Sequence, residues 1–470
     1  MASPSEIDTT TLDNYRPKRL NQHLGAIFAS LSGFALGVSL GWNSSAGDTF
    51  RNVLNATGTE IGLVGGILNA GACGGIVMLP YILKFVSRIT SILLTIPIYV
   101  TGWLLICLAD QKVWSLMFGR FLCGVAGGSS CVLVPLFIAE IADKNSRTRL
   151  LIYFQLLINC GIFYAFLTTY LLNEQDSIWR YSVTCAISCA PIVLVATLPE
   201  SPLYYLTKKD NDGALKSLKW YRGEGHTSDE IEDLQTIIKT RNSSLQIIKN
   251  CRVKCAIIVC YGVIITQQLS GVNVLIFYAT VIFNNSGSGE LSGSQQTLVV
   301  GIVQIISSAL CMILIDFLGR RILLTISGIF MGLFMMTFGW YSSVRDNDPQ
   351  YYDETFGWIP PACMILYFFA FNIGLGPISW SILGDIFPNE IKTVGAASAA
   401  FLSWLISLIA TMTFGELAES LGISKTMWLF GGSCCLGGIF CGIFVRDTKH
   451  MSLADIQQKF AIDPTEVTIN

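Results

Sequence analysis

Apolar runs of about twenty residues, the length a helix needs to cross bilayer hydrocarbon, recur along the whole chain. Twelve can be drawn, at 23–44, 60–83, 90–109, 113–138, 150–173, 179–198, 252–284, 295–317, 321–343, 358–384, 393–415 and 426–445. The composition fits. Hydrophobic residues make up 52% and charged residues 13%, where soluble proteins carry about 25% charged. The sequence therefore predicts an all-α, multi-pass membrane protein of twelve transmembrane helices.

The polar segments divide the spans. The longest, 199–251, separates six from six. This gives a polar tail over 1–22, a first six-helix half over 23–198, a linker over 199–251, a second half over 252–445 and a tail over 446–470. The first 22 residues lack the pattern of a cleaved signal peptide. With both termini cytoplasmic, 24 of the 30 Lys and Arg lie on the cytoplasmic side, five lie outside, and Arg120 falls within a span. The positive-inside rule selects that orientation. In the linker, "TSDEIEDLQTIIKT" sets Thr227 and Glu230 at capping-box spacing, and Ile231, Leu234 and Ile238 follow at helical spacing. A cytosolic helical insert is expected there, packed under the bundle and tying the halves together. The halves also repeat. "AEIADKNSRT" (139–148) closes the fourth span and "GDIFPNEIKT" (384–393) the tenth; Glu140 stands seven residues before Arg147, and Asp385 seven before Lys392. Duplicated six-helix halves with a solute held between them near the midplane are the plan of a transporter.

Several chemistries find no support. The cysteines lie almost all inside apolar runs, where they read as small packing residues. The three histidines are not mid-span and show no metal-ligand spacing. No nucleophile–base pair points to an enzyme, and neither a cofactor, a nucleic acid nor an obligate protein partner is implied. The middles of the spans hold no Asp, Glu, Lys or His, the groups that usually carry proton relays and ion sites. Arg120 reads as structural, snorkelling or bonded to backbone carbonyls.

The seventh span contains "TQQLSGVN", with Gln267, Gln268 and Asn273 within seven residues. An unpaired amide in hydrocarbon costs several kcal/mol. Amides both donate and accept without carrying charge, so a wet cavity lined by them suits a polyol such as a sugar. On a straight helix Gln268 and Asn273 would stand about 140° apart. Gly271 between them allows a bend or break, which membrane helices tolerate where they line a cavity. Interhelical hydrogen bonding is the competing role. Gln155, Asn159, Gln304 and Asn372 are further neutral candidates, and Trp380 and Trp404 can cover the apolar face of a sugar ring.

These features come together in a resemblance. "GRFLCGVAGG" (119–128), "PESPLYYL" (199–206), "QQLSGVNVLIFYA" (267–279), "DFLGRR" (316–321) and "GPISWSILGDIFPNEIKT" (376–393) stand in the order found in the sugar porters of the major facilitator superfamily. Over about 23–450 the chain resembles that family, and most of all its arthropod facilitated trehalose and hexose transporters. The resemblance implies two pseudo-symmetric six-helix halves and alternating access. It puts the sugar ligands at Gln155, Gln267, Gln268, Asn273, Trp380 and Trp404. It puts a cytoplasmic gate at Glu140, Arg147, Asp316, Arg320, Arg321, Asp385 and Lys392.

The departures bear on coupling and substrate. Proton-coupled members carry an acid in a "GYD" pattern; here "GWN" places Asn43 there. Leu83 replaces an acid after the second span. Gln304, Ser403 and Ser407 stand where hexose facilitators often have Asn, and Asn372 where they often have an acid. The expected function is a facilitative uniporter for a hexose or trehalose in the plasma membrane. A proton-coupled symporter and a non-transporting sugar sensor are the alternatives. Asn55 and Asn284 are expected glycosylation sites outside.

Overall fold

The computed structural model describes residues 19–53, 58–109, 113–143, 146–172, 178–223, 231, 251–277, 279, 292–345, 347–387 and 391–445. Their regular structure is helical throughout. The first five spans are Arg19–Val53, Gly58–Phe85, Arg88–Cys107, Val113–Ile141 and Arg147–Leu172. The sixth is an α-helix, Ile178–Ala186, that tightens into a 3₁₀ run, Ile187–Thr197, containing Pro191. The seventh is broken, Cys251–Leu269 then Val272–Phe277. The eighth and ninth form a helical stretch, Gly293–Arg345, divided at Gly319, whose φ of 76° interrupts the helix. The tenth is Ile359–Ile373 followed by Leu375–Asp385, the eleventh Lys392–Leu421 and the twelfth Ile423–Phe444. Twelve spans thus appear among the described residues, the first running on to Val53, beyond the apolar run that ends at 44.

Within lipid, helices associate through close packing rather than apolar burial from water, so small residues sit where backbones meet. In the first half, a Cβ at Gly37 would fall on the Ile158 carbonyl and one at Gly161 on the Phe34 carbonyl, which sets how closely spans one and five can approach. Spans two and four meet likewise at Gly71, Gly75, Gly124 and Gly128. The halves join along two seams, span two against eleven and span five against eight and ten.

Arg120 is fully buried. Its Nη1 donates to the Ser39 carbonyl and its Nε to the Val64 carbonyl, and its guanidinium lies over the Trp42 ring at 5.1 Å. It ties the first, second and fourth spans together, the structural role expected of it. Most of the described cysteines are buried between the helices.

Two short helices, Pro202–Thr207 and Asn211–Arg222, hang from one end of the bundle, here called the linker end. Ser201 and Asp210 cap them, taking bonds from the backbone N–H of Tyr204 and Gly213. They bind to the first half. The Arg222 Nη2 donates to the Ala142 carbonyl at 2.9 Å, and Asn21 to the Trp220 carbonyl at 2.6 Å. The buried Tyr221 stands edge-on to Phe137. Thr227, Glu230, Leu234 and Ile238 of the expected capped helix lie outside the described residues, as do Asn55 and Asn284.

Candidate functional site

The seventh span breaks where its sequence allows. Gly271 has φ +79°, a left-handed conformation that side chains resist. A Cβ there would also meet the Phe430 ring at 2.9 Å. Across this break the Asn273 Nδ2 donates to the Gln268 Oε1 at 2.9 Å. Two amides that a straight helix would hold far apart therefore touch. Gln268 donates to the Ser403 Oγ at 2.8 Å, and Asn273 to the Ser407 Oγ at 2.8 Å. Gln267 turns elsewhere. Its Nε2 reaches the Leu375 and Gly376 carbonyls at 3.2 and 3.3 Å, beside the break in the tenth span. Tyr367 braces the hinge by donating to the Ser270 carbonyl at 2.9 Å.

A second group of neutral polar residues crosses between the halves. On the fifth span, the Gln155 Nε2 donates to the Asn159 Oδ1 at 3.0 Å. The Asn159 Nδ2 in turn faces the Asn372 Oδ1 at 2.7 Å, the Ser308 Oγ at 2.6 Å and the Gln304 carbonyl at 3.3 Å. The Gln304 side chain is buried, and neither atom of its amide has a hydrogen-bond partner among the described residues. Such a group is costly unless something polar meets it. Trp380 is buried with Phe154 edge-on at 6.0 Å across the halves, and Trp404 is buried with the Cys131 thiol beside its indole N–H. Asn43 is buried near Gly65. The polar groups gathered here are uncharged amides and hydroxyls, able to meet sugar hydroxyls as donor or acceptor.

The charged residues lie at the linker end. Asp316 on the eighth span pairs with Arg149 on the fifth, and Arg320 donates to the Thr148 hydroxyl; both contacts cross between the halves. Glu140 instead pairs with Arg88 at 3.1 Å inside the first half. Arg321 donates to the Gly442 carbonyl at 2.7 Å inside the second half. Lys392 is buried at the start of the eleventh span, Arg147 opens the fifth, and Asp385 ends the tenth, its side chain outside the described residues.

Three participants escape the sequence reading. Arg149 lies two residues beyond the motif arginine, and nothing in its neighbourhood names Asp316 as its partner. Ser308 lies one turn beyond Gln304. Asn69, in "GGILNAGACGG" of the second span, is fully buried and donates to the Ser407 Oγ at 3.1 Å and the Thr411 Oγ1 at 3.3 Å. A lone amide in a glycine-rich apolar run was the available signal for it.

Comparison with known proteins bears on the family and the fold. Residues 24–460 match the family described as "Sugar (and other) transporter". The chain is 33% identical over 446 residues to the facilitated trehalose transporter Tret1 of Bombyx mori, covering 93% of this chain and 86% of that protein. It is 32% identical to the protein of the same description from Apis mellifera ligustica, covering 94% and 88%. Among solved structures it resembles the proton:xylose symporter XylE bound to 6-bromo-6-deoxy-D-glucose, with TM-score 0.80, 20% identity, and 94% and 99% of the two chains covered. An inward open conformation of the xylose transporter XylE from E. coli gives TM-score 0.71 at 20% identity, covering 92% and 98%.

Proposed function

Because the chain belongs to the sugar transporter family, we propose that it lets trehalose or a hexose equilibrate across the plasma membrane by alternating access. It is a multi-pass transporter with the major facilitator fold, not an enzyme. The observation that carries the facilitative reading is the uncharged site between the halves. Gln155, Gln268, Asn273, Gln304 and Asn372 supply donors and acceptors, and Asn43 stands where proton-coupled relatives of this pattern carry an acid. An intramembrane carboxylate would be the natural carrier of a coupled proton. Gln267 lies beside the hinge of the tenth span, and Trp380 and Trp404 offer apolar faces to the ring. The named relatives from silk moth and honeybee, both described as facilitated trehalose transporters, support the disaccharide as a substrate.

In this reading the linker end is cytoplasmic, which its excess of Lys and Arg supports. The Arg149–Asp316 and Arg320–Thr148 contacts close that face while the site opens outward. Sugar affinity is weak by necessity, since solute must leave as readily as it enters. A millimolar site corresponds to about 4 kcal/mol. The test is uptake of labelled trehalose, glucose and fructose into proteoliposomes holding the purified full chain. Uptake should stop at the external concentration and ignore a protonophore at fixed pH. Concentrative uptake that collapses with the proton gradient refutes the facilitator.

A further inference from the structure

On the eleventh span, Ser403, Ser407 and Thr411 are spaced by four residues. They share one helix face and extend over about 12 Å at 1.5 Å per residue, roughly the length of two linked pyranose rings. All three are buried. An amide is bonded at every rung. Gln268 reaches Ser403, Asn273 reaches Ser407, and Asn69 reaches both Ser407 and Thr411. Asn69 comes from the second span, in the opposite half, so the outer two rungs lie on the seam between halves. It is fully buried, and its Oδ1 has no hydrogen-bond partner among the described residues. That oxygen is a buried acceptor, a costly arrangement unless a donor reaches it. A sugar hydroxyl is such a donor.

We propose that Asn69, Ser407 and Thr411 form a second sugar subsite that receives the other ring of a disaccharide, one ring lying at Gln268 and Asn273. The proposal rests on the sugar-transport reading and sharpens it, making Asn69 the residue that sets preference for a disaccharide over a hexose. The row fits that role because its bonds are neutral. A neutral hydrogen bond to protein exchanges for one to a hydroxyl at little net cost. Plain interhelical glue would leave Asn69 without influence on which sugar is chosen.

The experiment compares KM for trehalose and for glucose in proteoliposomes of the full chain, for the wild type, Asn69→Leu and Thr411→Val. Each variant should raise the trehalose-to-glucose KM ratio about fivefold, the factor expected for losing one neutral hydrogen bond. A ratio that stays constant, whether or not both KM values move, overturns the subsite and leaves Asn69 as glue. Wild type that carries glucose and not trehalose also overturns it while leaving sugar transport intact. Uptake of no sugar at all refutes the transport reading and the subsite with it. Should Asn69→Leu fail to fold, Thr411→Val decides, since valine keeps the shape of threonine. Protection of the detergent-solubilised protein against heat by each sugar gives a readout independent of flux. Selective loss of protection by trehalose in Thr411→Val supports the subsite, and equal protection as in wild type overturns it.

Discussion

Replacing Gln268 by leucine separates a sugar ligand from a structural amide. In the structure this side chain makes two neutral bonds, one given to Ser403 and one taken from Asn273. Leucine has similar volume, so packing is little disturbed. The fold loses at most two bonds, each contributing about 0.5–1.5 kcal/mol. The real loss is smaller, because Asn273 keeps its bond to Ser407. The sugar loses a donor and an acceptor at once, and a hydroxyl facing leucine is left unpaired at a cost of about 1–3 kcal/mol. At 1.4 kcal/mol per tenfold, KM should rise about 5- to 150-fold.

The assay is zero-trans sugar uptake in proteoliposomes at matched protein content, with Ser403→Ala and the double variant alongside. If Gln268 acts only by holding the eleventh span, both single variants lose the same amount and the double variant is no worse. If it touches sugar, Gln268→Leu costs more than Ser403→Ala, and the cycle yields the part due to the pair. A normal KM in a well-folded Gln268→Leu protein refutes the assignment.

At the linker end, Asp316→Asn should favour the inward-open state by no more than about fivefold, because exposed pairs contribute about 0–1 kcal/mol, and the Arg149 and Asp316 side chains are 46% and 36% exposed. Cysteine labelling from the linker side measures this; Lys84→Ala, in the last turn of the second span with its ammonium over the Tyr81 ring, should leave labelling unchanged, and equal effects of the two would count against a gate carried by Asp316. Asn55→Gln and Asn284→Gln should each abolish one glycosidase-sensitive band shift in intact cells, and a shift produced instead by a sequon engineered into the linker would invert the orientation. At the far end, the hydrogen bond from Arg345 holds the Asp353 carboxyl below its usual range. Its contribution is therefore present above the ordinary carboxylate pKa and is lost as pH falls through the lowered one. The difference in thermal unfolding between wild type and Asp353→Asn should close on acidification; a difference independent of pH would contradict this.

The apolar runs alone carried the twelve spans, because length and apolarity are properties of each segment by itself. The break at Gly271 was legible for the same reason. Three amides beside a glycine state a local conflict that a bend resolves. What could not be read is how two helices are rotated about their axes when they meet. Spacing places Gln155 and Asn159 on one face of the fifth span, but only the packed seam shows Asn159 reaching Asn372 and Ser308 while Gln155 bonds to Asn159. Arg149 and Asp316 are 167 residues apart, and no local pattern pairs them. The gate residues taken from motifs likewise divide once packed, since Arg88–Glu140 and the Arg321 contact stay inside single halves. The division at Gly319 falls inside the family's "DFLGRR" stretch, where the glycine follows the last turn of the eighth span.

The placement of charge has an energetic consequence for how the halves move. A ligand shifts a conformational equilibrium only by its difference in affinity between the two states. A carrier that binds its sugar at millimolar strength has about 4 kcal/mol in total to draw on. Ties that must break for the halves to rock therefore have to be individually weak. The described mid-membrane ties include neutral bonds from Asn159 to Asn372, Ser308 and the Gln304 carbonyl and from Asn69 to Ser407 and Thr411, each contributing about 1 kcal/mol net. The Arg149–Asp316 pair described across the halves at the linker end is exposed, so water compensates when it opens. The fully buried guanidinium of Arg120 bonds to Val64 and Ser39 and lies over Trp42, all in the first half, so these contacts move with that half. Breaking a buried ion pair between the halves would cost about 3–5 kcal/mol, as much as the sugar can supply. Amides in the middle and charges at the wet end keep the barrier within reach of a weakly bound neutral solute.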